Sequence, residues 1–329
     1  MKKLHYIWLV VIFLMVFVNS PSIAKKPVVL KLGNIAAPEH NQNLTCLKFA
    51  ELVAEKTNNG VKIEVYPSSQ LGPELAMQAA VKAGTLEMCV FGVSGIESLM
   101  TEYGLFNQLY LFRSEDHVKK VMSGPVADFF KEKFLADHGI MMLSQNLGGL
   151  GTRHILSGRP ILKPDDAAGL KIRVPGTKAF IMGFKAIGAS PTPIPFPEVY
   201  LALQQGTVDA MECPFDWIYT QSFWEVKKVM SLTGHCTGFT VIQINEKVFN
   251  RLPKDAQKAL QEAADEAASY SHELDRKSSE KYYNLLKKEG VNFYEIDIEP
   301  FREKVRPVLL EFVTKYHLED VFRQIEETK

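Results

Sequence analysis

Most of the features that betray a protein's chemistry are missing from this chain of 329 residues. It has no excess of one charge: Lys and Arg together number 38, Asp and Glu 38, and the two signs are interspersed. No basic face is therefore available to follow a phosphate backbone, which excludes nucleic acid as a partner. Cysteine is scarce. Cys46, Cys89, Cys213 and Cys236 show neither metal-ligand nor redox-motif spacing, and a chain of this length does not need disulfide staples. They read as buried free thiols, with Cys213 and Cys236 the pair to test for a bridge. The sequence also lacks a Gly-x-Ser-x-Gly elbow, a His-Glu-x-x-His pair, a phosphate-binding glycine loop and a dinucleotide fingerprint. His40, His117, His154 and His235 form no nucleophile–base–acid set, so no catalytic residue, metal or cofactor is assigned.

Long apolar runs are absent as well, except at the start. Lys2 and Lys3 precede an apolar stretch from Ile7 to Val18, and Ser22-Ile23-Ala24 follows with small residues. This is the pattern of a cleavable secretory signal over residues 1–24, with Lys25 as the expected mature start and no cysteine there to carry a lipid. The run falls short of the roughly 20 residues needed to span a bilayer. A soluble protein on the far side of a membrane, the periplasm, is expected.

What is present is an ordinary globular composition, 46% hydrophobic and 23% charged, with length enough for two domains. Val28–Asn34 reads as a strand, Leu44–Lys56 as an amphipathic helix and Val61–Tyr66 as a second strand. A turn at Gln70–Glu74 then leads into the helix Leu75–Lys82, which Gly84 closes before the strand Leu86–Phe91. The same sequence of events recurs later. Ala79–Glu87 resembles Leu201–Asp209, each a helix, a Gly-Thr turn and a strand, which suggests two halves of one plan. Glycine-rich stretches at Met142–Arg153 and Thr233–Ile242 suit chain crossings between lobes. Two crossings imply a discontinuous first domain and a cleft. From Pro253 a long helix is expected, with Ser278-Ser279 as the place for any break; a short strand at Val291–Ile296 and further helices complete an α/β chain.

The stretch Gly169–Pro214 carries the candidate site. Arg173 ends the strand Leu-Lys-Ile-Arg-Val-Pro, and open α/β sheets bind ligands outside the carboxyl ends of their strands. A guanidinium there can grip a carboxylate through two parallel hydrogen bonds. The pattern alone favours a surface arginine or a structural salt bridge, and the same holds for Arg153. Phe196, held in a proline-dense segment, and Trp217 can either wall a pocket or fill the core. Glu198, at a helix start, reads as structural.

Taken together, Gly169–Pro175, Gly188–Pro193, Glu198–Gly206 and Val208-Asp209 resemble the solute-binding subunits of tripartite ATP-independent periplasmic (TRAP) transporters, the dicarboxylate-binding-protein family. Ser69–Gly72, Gly84-Thr85, Gly151–Arg153 and Pro164–Asp166 strengthen the likeness, which covers nearly all of the mature chain. The resemblance implies a two-lobed periplasmic-binding-protein fold with hinge segments and a long helix bracing both lobes. The expected division is lobe I over 25–150 and 239–278, and lobe II over 151–238 and 279–329. It implies closure over one organic acid, delivery to membrane-embedded TRAP permease subunits, and a monomer that is not an enzyme. By resemblance Arg173 pairs with the ligand carboxylate, Arg153 assists and Phe196 lines the site. Where the family commonly has Glu-Asn-Pro, this chain has Glu212-Cys213-Pro214, and a thiol is too weak a hydrogen-bonding group to replace the amide. That points to a less polar site and a monocarboxylate with an apolar or aromatic body. Trp217, Gln70, Glu74, Ser94, Pro175 and His40 join the expected ligand-binding set with Cys213. An exported enzyme acting on small organic acids, or a ligand-binding partner of a sensor kinase, are the competing readings.

Overall fold

The computed structural model describes residues 26–329 apart from Gly149. The expected signal segment 1–24, the mature start at Lys25 and one glycine of the first crossing therefore lie outside the described residues. Strands and helices first alternate: β1 (Val28–Gly33), α1 (Asn41–Lys56), β2 (Val61–Tyr66), α2 (Glu74–Ala83), β3 (Met88–Gly92) and α3 (Val93–Glu97). A 3-10 segment at Thr101–Asn107 leads to α4 (Glu115–Val121), α5 (Pro125–His138) and β4 (Ile140–Leu147). The chain continues through β5 (Thr152–Ser157), β6 (Lys171–Val174), α6 (Lys178–Ala186), β7 (Ser190–Pro193), α7 (Val199–Gln204), β8 (Ala210–Cys213) and α8 (Phe215–Thr220). It ends with β9 (Val229–Thr237), β10 (Thr240–Asn245), α9 (Glu246–Arg251), α10 (Lys254–Lys288), β11 (Asn292–Tyr294), α11 (Glu299–Lys315) and α12 (Glu319–Glu327).

Two mixed sheets organise these elements, ordered β2-β1-β3-β10-β4 and β11-β9-β5-β8-β6-β7. Read from its other edge, the second sheet begins β7-β6-β8-β5-β9 and repeats the first. In each, three parallel strands are joined by one antiparallel strand, β10 or β5. That strand is the one the chain enters on crossing from the other sheet, over residues 148–151 or 238–239. The repeated helix–turn–strand motif is reproduced in detail. Gly84 and Gly206 both take left-handed angles, φ 77 and 74. At the first turn Thr85 and Leu86 both donate their N–H to Ala80 O; at the second Thr207 and Val208 donate to Ala202 O.

Both faces of each sheet are covered, as parallel strands require. Along β3, Cys89 and Phe91 pack into one core with Phe106 and Phe130, whereas Met88 and Val90 pack into another with Phe49 and Leu260. This is the two-residue alternation of a strand. The second sheet has its own pair of cores, one around Ile172 and Phe184, the other around Met211 and Trp217.

Several boundaries differ from expectation for physical reasons. Helix α1 starts at Asn41 instead of Leu44 because His40 caps it, its Nδ1 accepting the Gln42 N–H at 3.0 Å. Helix α10 runs unbroken for 35 residues, through Ser278; no Gly or Pro interrupts it, and Ser278 is buried against its neighbours. The strand expected at Val291–Ile296 shortens to Asn292–Tyr294. Finally, the tail does not go wholly with the second lobe. Phe301 and Val305 of α11 enter the second sheet's core, but Leu309, Phe312, Phe322 and Ile325 join Phe130 and Phe134 beneath the first. Helix α11 thus ties both sheets together, as α10 does from Leu260 to Leu286. Among the described residues no helix is long and apolar enough to cross a membrane.

Candidate functional site

Ends of strands from both sheets meet at one small cavity. Ile35 stands just beyond β1, Phe91 and Gly92 close β3, and Arg173 and Cys213 close β6 and β8 around a volume of about 60 Å3. Of the expected ligand-binding set, Arg173, Arg153, Phe196, Cys213, Trp217, Glu74, Ser94 and Pro175 line it. Five of these, Glu74, Ser94, Arg173, Pro175 and Phe196, also line an adjoining cavity of about 440 Å3.

The two arginines are in different electrical states. Arg153 projects from β5 towards β8, where Nε donates to Glu212 Oε2 and Nη2 donates to Oε1 at 2.7 Å. Glu212 is fully buried and takes a further hydrogen bond from His235 Nε2 at 3.1 Å. That bond sets the tautomer: Nε2 carries the proton, so Nδ1 accepts from the Thr233 hydroxyl at 2.7 Å. Burial alone would pull the Arg153 guanidinium down, but the Glu212 charge more than offsets it and the pKa is raised. For Glu212, burial is outweighed by Arg153 and by hydrogen bonds, and the carboxyl is lowered. Arg153 is therefore the salt-bridged arginine that the sequence allowed, a charge already neutralised.

Arg173 has no such partner. Nε and Nη2 donate to Ile194 O at 2.9 and 2.8 Å, and among the described residues no carboxylate forms an ion pair with it. The remaining N–H groups are left for a ligand. Phe196 lies over the guanidinium, its ring centroid 5.6 Å from Cζ, and stands edge-on to Trp217 at 5.1 Å. Burial pulls the Arg173 pKa down to about 10, partly countered by Glu212; the side chain stays charged at neutral pH. It is not the surface arginine that the pattern also allowed, since only 4% of it is exposed. The contact to Ile194 O and the Phe196 ring cover its stem.

Two expected residues do not line the cavity. His40 lies behind Trp217, ring centroids 4.1 Å apart, with Nε2 2.9 Å from Asp216 Oδ2. It positions the wall of the site and caps α1. Gln70 is exposed in the turn before α2. Conversely, Gln42, Phe91, Leu150 and Ile35 line the cavity without having been anticipated. The strand-end rule could have found Phe91 and Ile35; Gln42, whose amide donates to Val90 O at 3.1 Å, gave no signal of its own.

The thiols are inert. Burial pushes Cys213 and Cys236 up to about 12, so no thiolate nucleophile exists in the cleft. All cysteines are free. Cys213 pairs in register with His154, and Cys236 with Arg153, on opposite sides of β5. Two strand spacings, roughly 9–10 Å, exceed the span of a disulfide. Among the described residues no group of His, Cys, Asp and Glu could hold a metal.

Comparison with known proteins agrees with this architecture. Residues 32–315 match the bacterial extracellular solute-binding protein family 7. The chain is 33% identical over 265 residues to the 2,3-diketo-L-gulonate-binding periplasmic protein YiaO of Escherichia coli, covering 80% of this chain and 79% of that one. It is 30% identical over 285 residues to the sialic acid-binding periplasmic protein SiaP of Vibrio cholerae, covering 86% and 88%. Among solved structures, a TRAP periplasmic solute-binding protein from a Polaromonas species bound to D-erythronate superposes with a TM-score of 0.88 at 31% identity, over 92% of this chain and 99% of that one. With a matching family model over most of its length, the same two-sheet fold and an arginine-lined cleft between the sheets, the chain belongs to bacterial extracellular solute-binding protein family 7, the solute-binding subunits of TRAP transporters.

Proposed function

We propose that the protein captures an organic acid in the periplasm, closing its two lobes over the ligand with the carboxylate on Arg173, and delivers it to a membrane permease. The observation that carries this reading is the asymmetry of the arginines. Arg153 is spent on Glu212, while Arg173 directs uncommitted N–H groups into the cavity. A buried guanidinium without a counter-ion is costly, and an incoming carboxylate relieves that cost through a charge-assisted pair. The ligand bridges walls from both sheets, so it favours the closed arrangement by its differential affinity for it. The lobes follow the two sheets, hinged at the crossings and braced by α10. The ligand is held and released unchanged: the cleft presents a protonated thiol, a neutralised Glu212 and the lone Glu74 carboxyl, with no activated nucleophile beside a base for acyl transfer.

The test is a thermal-shift screen of carboxylic acids, aromatic, aliphatic and hydroxylated, on the mature chain. A ligand that binds only the folded state raises its apparent stability, by about 2.7 kcal/mol at a hundredfold excess over Kd. Stabilisation by an acid recovered chemically intact at one per chain supports the proposal. Turnover of the acid, or no stabilisation by any acid, contradicts it.

A further inference from the structure

The class of acid can be narrowed, given that the cleft binds a carboxylate at all. The inner cavity of about 60 Å3 has room for little more than a carboxylate and its first carbons. The body must extend past Arg173 and Phe196 into the adjoining space of about 440 Å3. That outer space exceeds the ~150 Å3 which accommodates a benzene ring. Away from the shared residues its wall is mainly apolar, with Leu75, Ala76, Ile194 and three prolines, and only Gly176 and Thr177 add further polar points. Leu75 is half exposed. Prolines have no backbone N–H and the Thr177 N–H is already given to Pro175 O, so beyond Gly176 and the Thr177 and Ser94 hydroxyls this wall offers few donors to a polyhydroxylated body.

Charge narrows it further. With Arg153 bound to Glu212, the cleft offers one unneutralised guanidinium, and the Glu74 carboxyl stands where the two cavities join. A second carboxylate on the ligand would meet Glu74 and find no cation. Inside, Cys213, Phe91 and Trp217 add a weakly polar thiol and two aromatic walls.

We infer that the ligand is a monocarboxylate with an apolar aryl or alkyl body, its carboxylate on Arg173 and its body in the outer cavity beside Leu75, Ala76 and Ile194. Dicarboxylates and polyhydroxylated sugar acids are disfavoured, the first by Glu74 and the second by unmatched hydroxyls.

Calorimetry with four probes tests this: 3-phenylpropanoate, hexanoate, succinate and gluconate. The expected result is that 3-phenylpropanoate or hexanoate binds at least tenfold more tightly than succinate and gluconate. Ala76→Phe, which fills the outer cavity from the exposed face of α2, should weaken that acid at least tenfold, and Leu75→Ser should weaken it in the same direction. Tighter binding of succinate or gluconate overturns the inference while leaving the carboxylate reading standing. Unchanged affinity in both variants overturns the placement of the body. If no acid of any class binds, the carboxylate reading fails and this inference with it.

Discussion

At the residue scale, the site turns on which charges are already spent. Arg153 stands near the start of β5 and Arg173 near the end of β6, both open in sequence to the same two readings, and only the fold shows that β8 brings Glu212 to one and not to the other. The strand-end position of Arg173 was legible; its burial was not, because that depends on Ile194 and Phe196, more than twenty residues further on. Arg173→Lys should bind at least tenfold more weakly, since an ammonium cannot reproduce the fork, and titration calorimetry reads this directly. Glu74 gives the site a pH dependence. It faces Arg173, Arg153, the Gly95 N–H and the Cys89 thiol; burial pushes it up to about 7 against the pull of the two arginines. A carboxyl raised in the folded state contributes stability that is full below its ordinary value of 4.5 and is lost as the pH rises through about 7. When protonated it also leaves the Arg173 charge unopposed. Carboxylate affinity should therefore be at least roughly threefold higher near pH 6 than near pH 8, and Glu74→Gln should remove the difference.

At the element scale, two contacts join parts that sequence patterns cannot bring together. Glu97, at the end of α3 beneath the first sheet, accepts the Ala179 N–H in the first turn of α6 at 3.1 Å and the Asn107 amide at 3.0 Å. It caps a helix of the other lobe. Glu97→Ala leaves those donors buried and unmatched and should cost about 1–3 kcal/mol in denaturant unfolding. At the first crossing, Gly148 donates its N–H to Ser271 Oγ at 2.9 Å, and Thr240 donates to Gly148 O at 2.8 Å. A Cβ here would fall 1.7 Å from Asp275 Oδ2, displacing a carboxylate that accepts from Asn41 at 3.1 Å. Gly148→Ala should accordingly destabilise by about 1–3 kcal/mol, read as a lowered midpoint in urea. The glycine-rich crossing was visible in sequence as a place for a hinge. That Gly148 is there for close packing against α10 emerges only with the helix in place.

At the scale of the whole molecule, the repeated Gly-Thr turn was the sequence's clearest statement of architecture, since local hydrogen bonding fixes it wherever it occurs. It suggested two halves on one plan, and the two sheets repeat one strand order. The tail was harder to place: α11 has apolar residues enough for either core, and the chain gives some to each. The same tie constrains closure, because α10 and α11 both span the sheets. Small-angle scattering should show the radius of gyration falling when the acid binds, and an unchanged radius would mean that the lobes are already closed or do not move.

Everything rests on Arg173 as the carboxylate anchor. Arg173→Ala gives up the hydrogen bonds to Ile194 O but also removes a buried charge without a counter-ion, two effects that oppose each other, so the variant should remain folded by circular dichroism. Calorimetric titration of that folded variant with the acid that most stabilises the wild type is the decisive measurement. The account predicts at least a ~100-fold loss of affinity. Binding within about threefold of the wild type would contradict it and place the carboxylate elsewhere in the cleft.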